Sequence, residues 1–349
     1  MKIIIIGSGW YGLHMAHKYQ NIHEVIILEK NNDIFMGSSY NNQNRLHIGY
    51  HYPRSHNTRN LCKNGYTKFL EDYKYVVDDV DENYYVISNE STLDYNTYKH
   101  IFKYEEYNFH EIKNDMFTNI QENIICVNEK IINHNKSKKF FGENLKNVKI
   151  KCNYEVTSIN QEEDKIYVNN ELYCDILLNC TYGQLKCYEK ENEEDVIYEK
   201  TISHIYKKEG DVGFDCMTIM DGEFPSLFVR DKEKKTYSLT HVKYTPILTS
   251  NDINKVLKYE PSKEEINKSK LNMEREIIKY CPMFSVKFTH EGYILGYKMK
   301  KNTNSGNRTC LIYENENYIS VNGGKITGIY DFELYVDNFI ENKNNNEII

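Results

Sequence analysis

The segment from Lys2 to Glu29 reads KIIIIGSGWYGLHMAHKYQNIHEVIILE, and it decides the fold. Four consecutive isoleucines lead into a glycine-rich turn, Gly7-Ser8-Gly9-Trp10-Tyr11-Gly12, which matches the pattern GxGxxG. Residues 11–19 then show a helical pattern, and Val25 to Leu28 form a second apolar run typical of a buried strand. The order strand, glycine turn, helix and strand predicts a βαβ unit that opens a parallel sheet.

Each glycine of this turn has its own role in a dinucleotide-binding fingerprint. Gly7 permits the tight turn, Gly9 lets the backbone approach a pyrophosphate, and Gly12 lets the helix pack closely on the strand. The helix that starts at Trp10 and Tyr11 directs free N–H groups and a partial positive charge at the phosphates. The turn therefore predicts a dinucleotide site made by these five residues.

An acidic residue lies where this fingerprint requires one. Glu29 follows Gly7 by 22 residues and ends the second strand, a position from which a carboxylate accepts both ribose hydroxyls. The adjoining Lys30 is assigned to the same site. A carboxylate at this position repels a 2′-phosphate, which disfavours NADP and leaves FAD or NAD.

Composition limits the other possibilities. The chain has 349 residues, with 44 Lys and Arg against 51 Asp and Glu, for a formal net charge of −7. No basic block supplies the charge that a dedicated nucleic-acid binder needs. Nine single cysteines without CxxC spacing suggest reduced thiols and a cytoplasmic location. We expect no transmembrane helix and no signal peptide, because the longest apolar run near the start has four residues.

Three later segments favour FAD over NAD. Met36-Gly37-Ser38-Ser39 follows the second strand, and Asp175 to Gly183 reads as a buried strand that ends in a Cys-Thr-Tyr-Gly turn. Gly323-Gly324-Lys325-Ile326-Thr327 leads into the final helix, whose N-terminus can stabilise a reduced flavin anion. Together these segments resemble the D-amino-acid oxidase-like FAD-dependent oxidoreductases, with local similarity to the glycerol-3-phosphate and 2-hydroxyglutarate dehydrogenase branch.

The resemblance implies further cofactor contacts. Asn44 to Gly49 take the place of a family segment that lines the flavin, and Val156 takes the place of a strand residue whose backbone bonds the adenine. The backbone N–H of Lys325 would stabilise reduced flavin. The cofactor contacts implied in this way are Ser38, Ser39, Arg45, Leu46, His47, Val156, Thr181, Gly183, Gly324, Lys325, Ile326 and Thr327.

Substrate residues follow less directly from the pattern. Arg308 stands roughly where the glycerol-3-phosphate dehydrogenase branch has a substrate-binding arginine. Lys298 stands where amino-acid oxidases carry a carboxylate-clamping arginine, and a lysine cannot form the same bidentate contact. His47 and His241 are the two candidate acid/base residues. His241 belongs to an alternating strand pattern, Thr236 to Tyr244, either face of which could form the roof of the substrate site.

Arginine is rare in this chain, so its clustering is informative. Arg45, Arg54 and Arg59 fall within 15 residues together with His47, His51 and His56. This cluster indicates an anionic ligand, either the cofactor pyrophosphate or a carboxylate or phosphate on the substrate. We assign no metal to His47 and His51, because no carboxylate completes a ligand set.

The sequence as a whole predicts an α/β protein with a Rossmann-type FAD-binding domain and an inserted antiparallel β-sheet substrate domain. Residues 1–80, 125–185 and 295–342 are assigned to the first domain, 81–124 and 186–294 to the second, and 343–349 to a disordered tail. We expect oxidation of a small anionic amine or 2-hydroxy compound by hydride transfer to flavin N5. The alternatives are a non-redox flavoenzyme, such as a nucleotide-sugar isomerase, and a non-catalytic flavin-binding protein.

Overall fold

The computed structural model describes residues 1–113, 116–186, 196–301 and 310–346. Its helices are α1 (Trp10–Tyr19), α2 (His56–Tyr73), α3 (Tyr95–Tyr104), α4 (His134–Asn144), α5 (Ile253–Lys258), α6 (Lys263–Tyr280), α7 (Phe284–Lys287) and α8 (Ile329–Asn346). Its strands are β1 (Lys2–Ile6), β2 (Glu24–Leu28), β3 (Arg45–Leu46), β4 (Val77–Asp78), β5 (Asn83–Ile87), β6 (Phe109–Ile112), β7 (Ile124–Val127), β8 (Lys130–Ile132), β9 (Val148–Lys151), β10 (Ile159–Glu162), β11 (Lys165–Val168), β12 (Leu172–Cys174), β13 (Ile176–Asn179), β14 (Val196–Lys208), β15 (Cys216–Met220), β16 (Pro225–Asp231), β17 (Thr236–His241), β18 (Pro246–Ser250), β19 (Phe288–Lys301), β20 (Leu311–Asn315) and β21 (Tyr318–Asn322).

The N-terminal βαβ unit builds a six-stranded sheet in the order β20-β21-β13-β1-β2-β9. All neighbouring pairs are parallel except β20 with β21. Ile3 to Ile5 are fully buried because α1 and α8 cover one face, while β10, β11 and β12 cover the other. Burial on both faces explains the unbroken apolar run in the sequence.

A second sheet of nine strands, here called the roof sheet, has the order β18-β14-β17-β16-β15-β5-β7-β6, with β19 paired to β14. Helix α6 packs on it through Met273 and Ile277. The predicted capping box is confirmed, since Ser262 and Glu265 bond each other's backbone at the start of α6. The two-sheet architecture confirms the predicted fold class.

A small third sheet, β3-β8-β4, joins the two large sheets and is called the linking sheet. Strand β8 follows β7 after two residues, so the chain passes directly from the roof sheet into the linking sheet. Strand β3 begins with Arg45, which pairs with Ile131 of β8. The linking sheet therefore places the arginine-rich segment between the two large sheets.

Several details differ from the sequence prediction. Strand β7 and the 295–301 part of β19 belong to the roof sheet, because β7 pairs with β5 and β19 bonds along the whole of β14. Val156 lies in an irregular segment before β10 and not on a strand, and α8 continues to Asn346, past position 342. No proline or glycine interrupts the helical pattern after Asn342, so the helix extends further than expected.

A close helix contact yields a stability prediction. Helix α2 crosses the turn before α8 at Gly65, where an added Cβ would overlap the Thr327 side chain and lie 2.9 Å from its Cγ2 atom. Gly65→Ala should lower the melting temperature, since the clash outweighs the higher helix propensity of alanine. The matched control is Gly142→Ala in α4, where nothing lies within 4 Å; it should stabilise by about 0.5 to 1 kcal/mol. Thermal denaturation of both variants tests this, and equal stabilisation would contradict the packing.

Candidate active site

Parallel pairing brings four chain segments to one edge of the six-stranded sheet. Strands β1, β2, β13 and β21 run in the same direction, so the turns that follow them lie side by side. The Gly7 N–H donates to Leu28 O at 2.8 Å, and the Cys180 N–H donates to Ile6 O at 2.9 Å. The glycine turn, Glu29 and the turn at Thr181 are thus adjacent, as the sequence predicts.

The glycines of the first turn are required by close contacts. Gly7 has φ +97°, and a Cβ there would lie 2.9 Å from Cys180 O. A Cβ on Gly12 would overlap Gly7 O. The turn leaves no room for side chains at these two positions, which fits a backbone that approaches a pyrophosphate.

Ser38 and Ser39 fix the loop that lies against the glycine turn. The Trp10 N–H donates to Ser39 Oγ at 3.1 Å, and a Cβ on Gly9 would lie 2.8 Å from the same oxygen. Ser38 Oγ–H donates to Tyr297 O at 2.9 Å. The Trp10 indole packs in the hydrophobic core, so only the backbone of this residue is available to a ligand at the turn.

Glu29 is buried at the end of β2, and its carboxylate is fully hydrogen-bonded. One oxygen accepts from Ser8 N at 2.9 Å and Ser8 Oγ at 2.6 Å; the other accepts from Asn31 N at 2.9 Å and Asn31 Nδ2 at 2.6 Å. Ribose hydroxyls must therefore replace one of these side-chain donors. Lys30 is exposed and donates to Gln184, while the segment with Val156 begins where the Tyr154 N–H bonds Glu29 O.

Tyr11 connects the N-terminal turn to the C-terminal Gly-Gly-Lys corner. Its buried hydroxyl donates to Lys325 O at 2.7 Å and lies 3.1 Å from Cys310 Sγ. A Cβ on Gly323 would overlap this hydroxyl, and a Cβ on Gly328 would crowd it. The two corners that the predicted flavin site requires are therefore in direct contact.

The remaining predicted cofactor residues lie at the same edge or next to it. Thr181 donates through N and Oγ1 to Asn179 Oδ1 at 3.1 and 2.7 Å, and Gly183 adopts φ +74° against Met299. Thr327 is buried, and its Oγ1 has no hydrogen-bond partner among the described residues. Gly324 is exposed, Ile326 is partly buried and Leu46 is fully buried.

Arg45 points from the linking sheet at the roof sheet. Its Nη2 donates to Tyr85 Oη at 3.0 Å and to Thr218 Oγ1 at 3.1 Å, and its guanidinium lies 3.7 Å from the centre of the Phe228 ring. The Nε atom is buried and finds no acceptor within the part of the chain that the structure describes. Part of the guanidinium fork is thus free to bind an anion.

The other two arginines of the cluster have structural partners. Arg54 is 64% exposed and pairs with Asp221 at 2.8 Å. Arg59 is buried, forms a two-pronged ion pair with Glu105 and donates to two backbone carbonyls. This pairing lowers the Glu105 pKa to about 2. Arg59 therefore stabilises the loop and does not face a ligand.

His47, His51 and Lys325 lie together beside Arg45. The ring centroids of His47 and His51 are 5.7 Å apart, and Lys325 Nζ lies 4.2 Å from the centre of the Tyr52 ring. Burial, reinforced by the positive charge of Arg45, lowers the pKa of both histidines well below the usual range and that of Lys325 to about 7. The Nδ1 atoms of both histidines lack hydrogen-bond partners among the residues described.

The three other predicted substrate residues have different positions. His241 lies near Glu276 and Lys279 of α6, and its ring contacts that of Tyr244 at a tilt of 38°. It accepts from the Lys243 N–H, and burial lowers its pKa to about 4. It is not brought together with His47. Lys298 is half exposed, 3.9 Å from buried Glu199, and its charge acts on His51 from the edge of the cluster. Arg308 lies outside the described residues.

Sequence reasoning missed the residues that support Arg45 and His47. Glu129 is buried beneath the histidine segment, 3.8 Å from His47 Nδ1, and Tyr85 and Thr218 anchor Arg45. The available signal for Glu129 was a lone acidic residue between two buried runs, IICV and KII. Within the described ranges no group of three His, Cys, Asp or Glu residues could hold a metal ion.

Comparison with known proteins identifies relatives along most of the chain. No protein-family model matches it. It is 30% identical over 333 residues to the FAD-dependent monooxygenase FPY4 of Fusarium mangiferae, spanning 93% of this chain and 87% of that protein. It is 27% identical over 371 residues to the FAD-dependent monooxygenase kojA of Aspergillus flavus, spanning 94% and 83%.

Solved structures with the same fold include oxidases and dehydrogenases. The FAD-bound L-α-glycerophosphate oxidase of Mycoplasma pneumoniae superposes with a TM-score of 0.74 at 14% identity, over 94% of this chain and 91% of that one. Glycine oxidase of Geobacillus kaustophilus superposes with a TM-score of 0.70 at 10% identity, over 97% and 94%. In the described part of the chain, no helix has the length and apolarity to cross a membrane.

The position of Glu29 predicts a loss of cofactor affinity on substitution. Glu29→Gln should weaken FAD binding about tenfold, because a charged acceptor of ribose hydroxyls becomes neutral. Quenching of FAD fluorescence by the apoprotein measures the dissociation constant. Glu143→Gln in α4 is the matched control, since Glu143 is exposed, and should leave binding unchanged within about twofold. Equal losses in the two variants would contradict a direct role for Glu29.

Proposed function

This chain belongs to the same family of FAD-dependent oxidoreductases as FPY4 and has the D-amino-acid oxidase-like fold, and on that premise we propose that it oxidises a small anionic amine or 2-hydroxy compound. The observation that carries the proposal is a group of basic side chains beside the Gly-Gly-Lys corner, some of whose buried nitrogen atoms have no hydrogen-bond partner among the described residues. The group, here called the cationic cluster, consists of Arg45, His47, His51 and Lys325. Arg45 Nε and the Nδ1 atoms of His47 and His51 are buried without hydrogen-bond partners in the described ranges. Buried polar atoms of this kind are normally bonded, so they point to a ligand.

The charges of the cluster favour an anionic ligand. Arg45 is permanently charged, and Lys325 gains its charge below a pH of about 7. An anion between them would relieve their mutual repulsion and accept from the free part of the Arg45 fork. Arg45 is fixed by Tyr85 and Thr218 of the roof sheet, so the anionic group would bind in one orientation.

The reaction needs a hydride acceptor and, for an alcohol, a proton acceptor. The glycine turn would hold FAD, which would supply the hydride acceptor when bound. His47 suits the second role, because its depressed pKa keeps the imidazole neutral at pH 7 and its Nδ1 atom has no hydrogen-bond partner among the described residues. An alcohol substrate would lose its hydroxyl proton to His47, and an amine entering as the free base would not need this step. Positioning of the substrate carbon supplies most of the remaining rate enhancement.

Monooxygenation is the second candidate, favoured by the names of the relatives FPY4 and kojA. In that reaction one atom of O₂ enters the product, the other leaves as water, and a reductant supplies two electrons. The same cationic cluster would bind the substrate. The two candidates differ in whether the substrate itself reduces the protein in the absence of oxygen.

Anaerobic mixing with a panel of amino and 2-hydroxy acids tests the proposal. We expect one class to bleach the flavin absorption band in a single turnover without dithionite. Arg45→Met should weaken this reaction about 10- to 100-fold through loss of charged hydrogen bonds, whereas the exposed Arg54→Met control should stay within about twofold. Bleaching that requires NADH or NADPH, with ¹⁸O from O₂ in the product, would instead establish monooxygenation.

The Lys325 ammonium predicts a pH-dependent affinity for anions. Acetate remains ionised between about pH 6 and 8, so it reports the charge of the site. As the pH rises through about 7, Lys325 loses its proton, and the acetate dissociation constant should rise. Perturbation of the flavin spectrum in the holoprotein measures this constant. Lys325→Met should bind acetate weakly with a flat pH profile, and an unchanged slope in that variant would contradict the assignment. The control Lys139→Met, at an exposed position of α4, should retain the slope.

A further inference from the structure

Glu129 is a buried carboxylate in the short connection between β7 and β8, and it is 2% exposed. Its Oε1 atom accepts from the Ile48 N–H at 2.7 Å and from the Gly49 N–H at 3.4 Å. Its Oε2 atom accepts from the Tyr85 hydroxyl at 2.7 Å. Burial raises the pKa of Glu129, whereas Arg45 and these three bonds oppose that rise. All three partners are donors, which is the arrangement that a deprotonated carboxylate requires in place of water.

Tyr85 transmits the effect of this carboxylate to Arg45. The Tyr85 side chain is fully buried, and its single hydroxyl hydrogen is directed at Glu129. The Tyr85 oxygen then presents its lone pairs to Arg45, whose Nη2 donates to it at 3.0 Å. The three side chains form a relay in which each member fixes the orientation of the next.

The same carboxylate fixes the backbone that carries His47. Its bonds to Ile48 and Gly49 hold the chain at a bend where Gly49 has φ +133° and a Cβ would lie 2.9 Å from the Tyr107 hydroxyl. The His47 Nδ1 atom lies 3.8 Å from Glu129 Oε1, beyond hydrogen-bonding distance. Glu129 therefore acts on His47 through the main chain next to it.

The location of Glu129 explains why one residue can contact both Tyr85 and the backbone next to His47. Strand β7 pairs with β5, which carries Tyr85, and β8 pairs with β3, which begins with Arg45. The β7–β8 connection is thus the place where the chain passes from the roof sheet to the linking sheet. A carboxylate there contacts Tyr85 of the roof sheet and the backbone of Ile48 and Gly49, just after β3.

We propose that Glu129 is a positioning residue that holds Arg45, through the Tyr85 hydroxyl, in the orientation that binds the anionic end of the substrate. The inference rests on the proposed function, because it assumes that Arg45 binds an anion. Glu129 does not contact the substrate. A neutral amide at position 129 would offer N–H donors to Tyr85, leaving its hydroxyl hydrogen without this acceptor and displacing Arg45.

A double-mutant cycle on the FAD-loaded protein tests the relay, with acetate as the probe and the flavin spectrum as the readout. Glu129→Gln and Tyr85→Phe should each raise the acetate dissociation constant about 5- to 10-fold. The double variant should bind acetate no more weakly than the weaker-binding single variant, because both changes break the same relay. FAD content and melting temperature are measured in parallel. A purely structural role would change these two quantities and leave the coupling energy between the two substitutions at zero.

The other outcomes are also decisive. Single effects that multiply in the double variant, or acetate binding unchanged in both singles, would overturn the relay. If Glu129→Gln does not fold, Tyr85→Phe, which removes one oxygen, decides by itself whether acetate affinity falls with FAD content retained. If Arg45→Met abolishes the response to acetate while Glu129→Gln and Tyr85→Phe retain it, the relay alone is overturned. No acetate response in the wild-type protein overturns the proposed anion site and the relay with it.

Discussion

The contact between Tyr11 and the Gly-Gly-Lys corner is the constraint on which the rest of the site depends. The Tyr11 hydroxyl occupies space that exists because positions 323 and 328 have no side chains, and it bonds the Lys325 carbonyl. This single phenol fixes the distance between the glycine turn and the end of the site where the cationic cluster lies. Both ends of the proposed FAD site are consequently set by one rigid packing contact, of the kind that close-packed interiors favour.

The two large sheets contribute different residues to the site around the cationic cluster. The six-stranded sheet supplies the turn for the cofactor and, at the end of β21, Lys325. The roof sheet supplies Tyr85, Thr218 and Phe228, which surround the guanidinium of Arg45. Because Arg45 itself comes from the linking sheet, small shifts between the sheets would change its direction. Two hydrogen bonds and one ring face, from three strands of the roof sheet, counter such shifts.

The parts of this arrangement that depend on residues close together in the sequence could be predicted from the sequence. Isoleucine runs, the glycine turn and the Ser262 capping box are local patterns, and each indicated the correct element. Contacts across long separations could not be predicted in this way. No residue near Arg59 in the sequence indicates that its partner is Glu105, 46 residues later. The sequence therefore could not distinguish Arg45 from the paired arginines near it. Strand alternation left both faces of β17 open, and His241 lies on the one that faces α6.

The strand order of the six-stranded sheet has a consequence for biosynthesis. Strand β13 lies between β1 and β21, so the sheet is complete only when residues 318–322 have joined it. These residues follow β1 by more than three hundred positions along the chain. A nascent chain can therefore form the first βαβ unit early, but it has no partner for Tyr11 until residues 323–328 have been synthesised. A chain truncated before Gly323 would accordingly lack the corner that contacts Tyr11, and with it one wall of the proposed flavin site.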